Sequence, residues 1–260
     1  MVILAAALAV GQGQVLRLEV PDEPGLEKVA VEWIDQSIPF AKDSAGWFTL
    51  VGVDLDASPG MHSAELTWTY RDGRVRRAGQ QIEVAERQFR TTHLEVAPKY
   101  VELSADNEER AARERSEINE IYALITPEAL WTEPFAVPIP GTTGGRNFGH
   151  RRVFNDQPRA PHSGADLTAA TGTEIRATNR GRVVLAKDLF FSGNAVFVDH
   201  GLGIYSVYLH LSEIRVEPGE IIDKGQVLGL AGATGRVTGP HLHWGVRAQG
   251  ERVDPFSLLR

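Results

Sequence analysis

Four histidines and one aspartate fall in three short segments of the C-terminal half of the chain. These segments are His162-Ser-Gly-Ala-Asp166, Tyr208-Leu-His210-Leu-Ser212 and Gly239-Pro-His241-Leu-His243-Trp244. In an extended strand, residues i and i+2 point to the same face, so His241 and His243 can both reach one small volume. Imidazole and carboxylate groups bind zinc, and imidazoles also transfer protons near neutral pH. The three segments therefore predict a metal site with hydrolytic chemistry.

The number of these side chains matches what such chemistry needs. Two histidines and Asp166 would give a tetrahedral zinc three ligands and leave its fourth position for water. A water bound in this way has a lowered pKa and can attack a polarised amide carbonyl. His210 and the remaining histidine of the 241/243 pair could then take the water proton, stabilise the oxyanion and protonate the leaving amine. Each segment alone is weak evidence, because two exposed strand histidines would give the same triplet, but together they favour metal-dependent amide hydrolysis.

The elements that must position these residues are mostly strands. The C-terminal half alternates strand-like runs with glycine turns, for example in residues 181–186, 194–199, 204–209 and 226–231. It is too rich in glycine for a doubly wound sheet with crossover helices. From about residue 12 to 97, short runs of β-branched and aromatic residues are separated by turn signals such as Asp72-Gly73. The fold class predicted here is mainly β, with an immunoglobulin-like sandwich in the N-terminal half.

A helical linker is predicted between the two halves. Residues 104–125 contain no Gly or Pro, are rich in helix formers, and place Glu109 and Arg113 four residues apart. Ile118, Ile121 and Tyr122 have helical spacing, so this end is expected to pack on a domain. Four prolines between residues 127 and 140 then predict a stiff, extended connection.

Charge and composition exclude several kinds of protein. Residues 1–134 carry 13 Lys and Arg against 23 Asp and Glu, and residues 135–260 carry 14 against 11. Neither half has the strongly basic character of a nucleic-acid-binding protein, so no nucleic-acid partner is expected. With no cysteine in the chain, disulfides and thiolate metal sites are excluded. The change of charge near residue 134 indicates a domain boundary.

The first twelve residues allow two interpretations. The apolar run from Val2 to Val10 is too short to span a bilayer, and it suits the hydrophobic part of a secretory signal. It lacks a basic segment before it, however, and a buried first strand would have the same composition. We predict a signal-peptide remnant over residues 1–12, an exported protein of the periplasm or cell envelope, and no stable insertion in the membrane.

The three segments closely resemble the signature motifs of LytM/lysostaphin-like zinc metallopeptidases. The resemblance extends from about residue 135 to 259 and includes Phe148-Gly-His-Arg-Arg152, residues 193–201 and Val253-Asp-Pro-Phe256. It implies a small antiparallel β domain that binds Zn²⁺ and cuts peptides of bacterial peptidoglycan in stem peptides, cross-links or bridges. It also implies His162, Asp166 and His243 as zinc ligands, with His210 and His241 as catalytic histidines.

With this resemblance, the predicted organisation has four parts. They are a signal-peptide remnant over 1–12, an immunoglobulin-like β domain over 13–98, a helical linker over 99–134 and a zinc metallopeptidase domain over 135–260. The acidic N-terminal half lies outside the resemblance, and a binding role, an autoinhibitory role or a regulatory protein partner stays open for it. Of the other histidines, His62 and His93 are interpreted as surface or packing residues and His200 as a structural residue at a strand end. His150 is expected near the groove that the resemblance implies, but not as a ligand.

Two alternatives to a zinc endopeptidase remain at this stage. An inactive relative that binds or activates other cell-wall hydrolases would be expected to have lost ligands or catalytic histidines, whereas all five are present. A binding module with a structural zinc would be expected to have four protein ligands, whereas this set leaves two histidines beside three ligands. Both alternatives are disfavoured for these reasons.

Overall fold

The computed structural model describes residues 2–3, 6–94, 103–142, 145–154 and 157–259. The predicted boundary between residues 98 and 99, and part of the predicted signal-peptide remnant, lie outside these ranges. Among the described residues, no helix combines the length and the apolar character needed to cross a bilayer.

The N-terminal half is built from strands, as predicted. The strands are β1 (Val2–Ile3), β2 (Leu8–Gly11), β3 (Val15–Val20), β4 (Leu26–Trp33), β5 (Gln36–Pro39), β6 (Ala41–Lys42), β7 (Trp47–Gly52), β8 (Gly60–Tyr70), β9 (Val75–Ala85) and β10 (Thr91–Leu94). β1, β9, β8, β4 and β5 form one sheet in that order, with β2 also on β9, and β3, β7 and β6 form a second. β2 covers residues 8–11, so this part of the N-terminal run is a strand in the folded chain.

The two sheets enclose one hydrophobic core. Alternate residues of β4 and β8, such as Val31 and Leu66, pack with Leu18 and Val51 of the smaller sheet. The Trp33 indole N–H donates to the carbonyl of Gly52 at 3.0 Å and joins the sheets. A tight turn containing Asp72-Gly73 connects β8 to β9, as predicted for a hairpin. The mainly β fold is therefore confirmed, and the immunoglobulin-like topology stays a prediction.

The predicted linker helix is present as α1 (Ala105–Tyr122). Ser104 caps its N-terminus, because the hydroxyl accepts a hydrogen bond from the backbone N–H of Asn107. Glu109 and Arg113 form the expected ion pair between neighbouring turns. Ile118 and Tyr122 pack on the C-terminal half, so the apolar end of the helix is docked there.

The C-terminal half contains two further sheets. Its strands are β11 (Arg151–Phe154), β12 (Gln157–Arg159), β13 (Gly164–Thr168), β14 (Glu174–Arg176), β15 (Gly181–Leu189), β16 (Gly193–Asp199), β17 (Ile204–Leu211), β18 (Glu213–Ile214), β19 (Ile221–Ile222), β20 (Val227–Leu230), β21 (His241–Ala248) and β22 (Glu251–Val253), followed by a 3-10 helix (Pro255–Leu259). The larger sheet has the order β13-β21-β17-β16-β15-β19, with β22 on β21, and the smaller has the order β14-β20-β18. Trp244, Leu167 and Tyr208 of the larger sheet pack with Ile175 and Leu228 of the smaller one.

The two halves are joined by a shared core and a shared sheet. Phe48 of β7 packs in one cluster with Trp131, Ile204 and Val246 of the C-terminal half.

Buried hydrogen bonds of Gln249 also join the two halves. The Gln249 residue is 2% exposed, and its side chain accepts from the backbone N–H of Gly52 at 3.0 Å. It donates to the carbonyl oxygens of Leu50 and Leu202, at 2.9 and 2.6 Å. A third contact is a sheet in which β10 pairs in parallel with β11, and β12 pairs with β11.

Candidate functional site

Two neighbouring strands bring the predicted metal ligands together. β13 and β21 are antiparallel, and their register places Asp166 opposite His243 and Thr168 opposite His241. Directly opposed residues of such a pair share a face of the sheet, so the Asp166 and His243 side chains meet. His162 lies on the segment leading into β13 and is 1% exposed. The three side chains come together because of the sheet register, and not only because His162 and Asp166 are four residues apart.

The donor atoms of these residues form a nearly equilateral triangle. His162 Nε2, His243 Nδ1 and Asp166 Oδ1 are each 2.9 Å from the other two. A tetrahedral zinc with bonds of about 2.05 Å holds its ligand atoms about 3.3 Å apart. An increase of roughly 0.4 Å in each distance between the donor atoms would therefore accommodate a zinc ion. Among the described residues, the cluster contains these three ligating groups and no fourth. The donor set therefore fits a zinc ion with a position left for water.

Asn147 supports two of the candidate ligands at once. Its backbone carbonyl accepts the Nδ1–H of His162 at 2.9 Å, which leaves Nε2 unprotonated and able to bind a metal. Its side-chain amide donates to Asp166 Oδ2 at 3.0 Å, and its Oδ1 accepts the Asp166 backbone N–H at 2.9 Å. Arg152 donates to the same Oδ2 at 3.2 Å. Oδ2 is thus held by the protein while Oδ1 faces the two histidines.

His210 and His241 lie beside the triangle, and carbonyl groups fix the protonation of both rings. His210 Nδ1 is 2.9 Å from the carbonyl oxygen of Thr234, and His241 Nδ1 is 2.9 Å from that of Gly239. Because a carbonyl oxygen can only accept, Nδ1 of each ring carries the proton and Nε2 is left with a lone pair. His241 Nε2 lies 3.7 Å from Asp166 Oδ1, and the two ring centroids are 5.0 Å apart. Both rings can accept a proton from a molecule bound next to the triangle.

A backbone irregularity aims the His210 side chain. Between β16 and β17, Asn194 pairs with Leu211 and Val196 with Tyr208, so two residues of β17 face one residue of β16. His210 is in this bulge and has a φ of 67°, in the left-handed region that non-glycine residues rarely adopt. Its backbone N–H donates to the carbonyl of Ser192 at 3.0 Å. Bulges and left-handed residues of this kind are concentrated at functional sites.

Burial sets the protonation states of the cluster. It lowers the pKa of His243 to about 4 and that of His210 to about 3, and it also lowers the pKa of His162. Burial acts in the opposite sense on the Asp166 carboxyl, but the adjacent His162 and His243 rings hold its pKa well below its usual range. The site therefore presents neutral imidazoles and one carboxylate, which are the forms that bind a divalent metal.

The remaining histidines lie outside the cluster. His200 is fully buried between the carbonyl of Arg180 and the hydroxyl of Ser206, each 2.7 Å from a ring nitrogen. His150 contacts the hydroxyl of Thr92 at 2.9 Å. His62 contacts the carbonyl of Ser58, and His93 is exposed on β10.

Helix α1 lies on the same face of the large sheet as the candidate ligands. In the register of β17 and β21, Val207 and Leu209 are opposite Gly245 and His243, so all four residues share one face. Val207 and Leu209 belong to a cluster with Ile118, Ile121 and Tyr122 of α1. The helix therefore packs on the face of the sheet that also carries the histidine cluster, an arrangement that helical spacing alone did not indicate.

A known protein family matches part of the C-terminal half. This family, described as "Peptidase family M23", matches residues 160–255, a range that contains all five predicted site residues. Peptidoglycan DD-endopeptidase ShyA of Vibrio cholerae is 41% identical over 112 residues, which are 43% of this chain and 26% of the relative. DD-carboxypeptidase/endopeptidase Mpg of Neisseria meningitidis is 39% identical over 97 residues, 37% of this chain and 22% of the relative. The matched part is about a quarter of each relative's length.

A solved structure from Pseudomonas aeruginosa, described as a candidate M23 peptidase, resembles the whole chain. The two align with a TM-score of 0.69 and 28% sequence identity over 95% of this chain and 94% of that one. The likeness therefore includes the N-terminal sheets and α1 as well as the part that matches the family.

Proposed function

We propose that this chain, which carries a Peptidase family M23 domain over residues 160–255, is a zinc-dependent endopeptidase that hydrolyses peptide bonds of bacterial peptidoglycan. The observation that carries the proposal is the triangle of three donor atoms 2.9 Å apart with two further histidines beside it. Three ligands without a fourth are typical of catalytic rather than structural zinc.

Each of the five residues has a task in this proposal. His162, Asp166 and His243 would hold the zinc, which, when bound, would lower the pKa of a water molecule and polarise the amide carbonyl of the substrate. His210 and His241 accept and return a proton through Nε2, because their Nδ1–H groups are committed to carbonyl oxygens. Once protonated, such an imidazole can donate to the tetrahedral oxyanion and to the leaving amine.

The substrate class is supported by the relatives. The matched Vibrio cholerae and Neisseria meningitidis proteins are named for peptidase activities, the former expressly on peptidoglycan. Because peptidoglycan lies outside the cytoplasmic membrane, the protein would act in the cell envelope.

The proposal is tested with purified protein, cross-linked muropeptides and measurement of bound zinc. The wild type should carry one zinc per chain and release peptides identifiable by mass spectrometry. His243→Ala should lose both zinc and activity. His210→Ala should keep zinc and lose activity by about 10²- to 10⁴-fold, the usual contribution of a general acid–base group. His62→Ala, a histidine change outside the cluster, should alter neither.

A zinc-loaded wild type that releases no product from any muropeptide would contradict the proposal. That result is the one expected of an inactive relative that binds the cell wall or activates other hydrolases.

A further inference from the structure

A cleft of about 350 Å³ lies between α1 and the large sheet. Ile118 and Tyr122 of α1 line one side, and Ser192 and Arg247 line the other. Ser192 also accepts the backbone N–H of His210, so the cleft adjoins a proposed catalytic residue. No step of the proposed hydrolysis uses this cleft.

His243 and Arg247 lie on one face of β21, with the buried Gly245 between them. His243, Gly245 and Arg247 are alternate residues of β21 and point to one face. Because Gly245 has no side chain, nothing projects from β21 between the histidine and the arginine on that face. At about 3.4 Å per residue, the two Cα atoms are about 14 Å apart, a length that roughly four residues of extended peptide would span.

The Arg247 guanidinium is held in the cleft and lacks a hydrogen-bond partner at one nitrogen. Its central carbon lies 5.4 Å from the centroid of the Tyr122 ring. Nη1 is buried and, within the part of the chain that the structure describes, has no hydrogen-bond partner. A buried N–H group of this kind normally has one, and leaving it without one costs free energy. A ligand in the cleft would supply the acceptor.

Two of the other charged groups that line the cleft, Glu114 and Arg252, are already paired. Glu114 accepts from Arg110 at 2.6 Å with one carboxylate oxygen and from the backbone N–H of Phe190 at 2.8 Å with the other. Arg252 donates to Asp54 and Asp56 of the N-terminal half. Arg247 and Arg115, which also lines the cleft, make the charge offered to a ligand positive.

We propose that Arg247 binds a free carboxylate of the peptide substrate, two to four residues from the bond that is cut, and so selects peptides by that group. The proposal rests on the proposed endopeptidase function and names a specificity residue for it. Planar guanidinium groups match carboxylates in both charge and geometry, and the contact is stronger in a site with little water. The carboxylate could be the C-terminus of a stem peptide or a side-chain group of one of its residues.

The test uses matched peptide substrates in which one carboxylate at a time, C-terminal or side-chain, is replaced by a carboxamide. Wild type should cleave the free acid with a kcat/KM about 10- to 100-fold above that of one of the amides, the range expected for a hydrogen bond to a charged group. Arg247→Gln should lose this preference by cleaving the acid more slowly, while Arg247→Lys should keep part of it. Arg182→Gln removes an exposed cation elsewhere on the sheet and should leave the preference unchanged.

A second measurement separates this proposal from the proposed function. Calorimetric binding of the same peptides to His210→Ala should show the acid preference without cleavage, and Arg247→Gln in that background should remove it. Equal treatment of acids and amides by wild type, or a preference that survives in Arg247→Gln with normal zinc content, would overturn the role of Arg247. Discrimination in binding with no cleavage by wild type would instead refute the peptidase function and leave the carboxylate site standing.

Discussion

Gly164 lies against the ring of one proposed zinc ligand, so one added carbon at this position should disrupt the metal site. A Cβ built on Gly164 would lie 2.6 Å from His243 Nε2, 2.8 Å from its Cε1 and 2.6 Å from the carbonyl oxygen of Trp244. The carbonyl oxygen belongs to the backbone of β21, so the imidazole must give way. Restoring an ordinary contact of about 3.4 Å needs a shift of about 0.8 Å, against a tolerance of about 0.2 Å for a metal–ligand distance.

We therefore expect Gly164→Ala to weaken zinc binding by at least about 10- to 100-fold, the loss seen when a group supporting a ligand is removed. The assay is a zinc titration against a competing chelator, with peptide release measured in parallel. Gly245→Ala is the matched control, because its Cβ would lie 3.6 Å from the same His243 Nε2 and 3.5 Å from Val207 Cβ, both ordinary contacts. Gly164→Ala with wild-type zinc affinity, or equal losses in both variants, would refute the reasoning.

Two further predictions follow from contacts around the site and between the halves. Asn147→Ala removes both side-chain hydrogen bonds to Asp166, so zinc affinity should fall about 10- to 100-fold and added zinc should restore much of the activity. Titration against a chelator measures this affinity. An unchanged affinity would show that Asn147 does not support the metal ligand. Gln249→Ala leaves three backbone groups without their buried partner, so the free energy of unfolding should fall by about 2–4 kcal/mol. Urea denaturation measures it, with the exposed Gln157→Ala as control, and a loss no larger than that of the control would contradict it.

The residue types of the site and the strands that carry them were predictable because they are local patterns. Short runs of β-branched and aromatic residues predicted the strands of the N-terminal half, and Asp72-Gly73 predicted the β8–β9 hairpin. The lack of helix breakers and the apolar spacing near Tyr122 identified α1 and its docked end. The roles of the five site residues came from their motifs and the resemblance, and they stay predictions.

Other features were not predictable because they depend on contacts between distant parts of the chain. Asn147 acts partly through a backbone carbonyl, which any residue possesses, and it lies one position before the motif that begins at Phe148. The cleft at Arg247 arises because α1 packs on the face that carries the histidine cluster, and spacing within a helix does not say which face of the sheet receives the helix. The core shared by the two halves likewise comes from residues about 200 positions apart, such as Phe48 and Val246.

The left-handed backbone at His210 sets stability and activity against each other at a single position. A φ of 67° costs a non-glycine residue about 1 kcal/mol or more, and glycine adopts it freely. His210→Gly should therefore give a protein whose backbone is less strained and whose proton-transfer group is gone. A selection for thermostable variants that measured only stability would favour replacement of His210. Such a selection therefore has to measure peptide release as well as thermal stability.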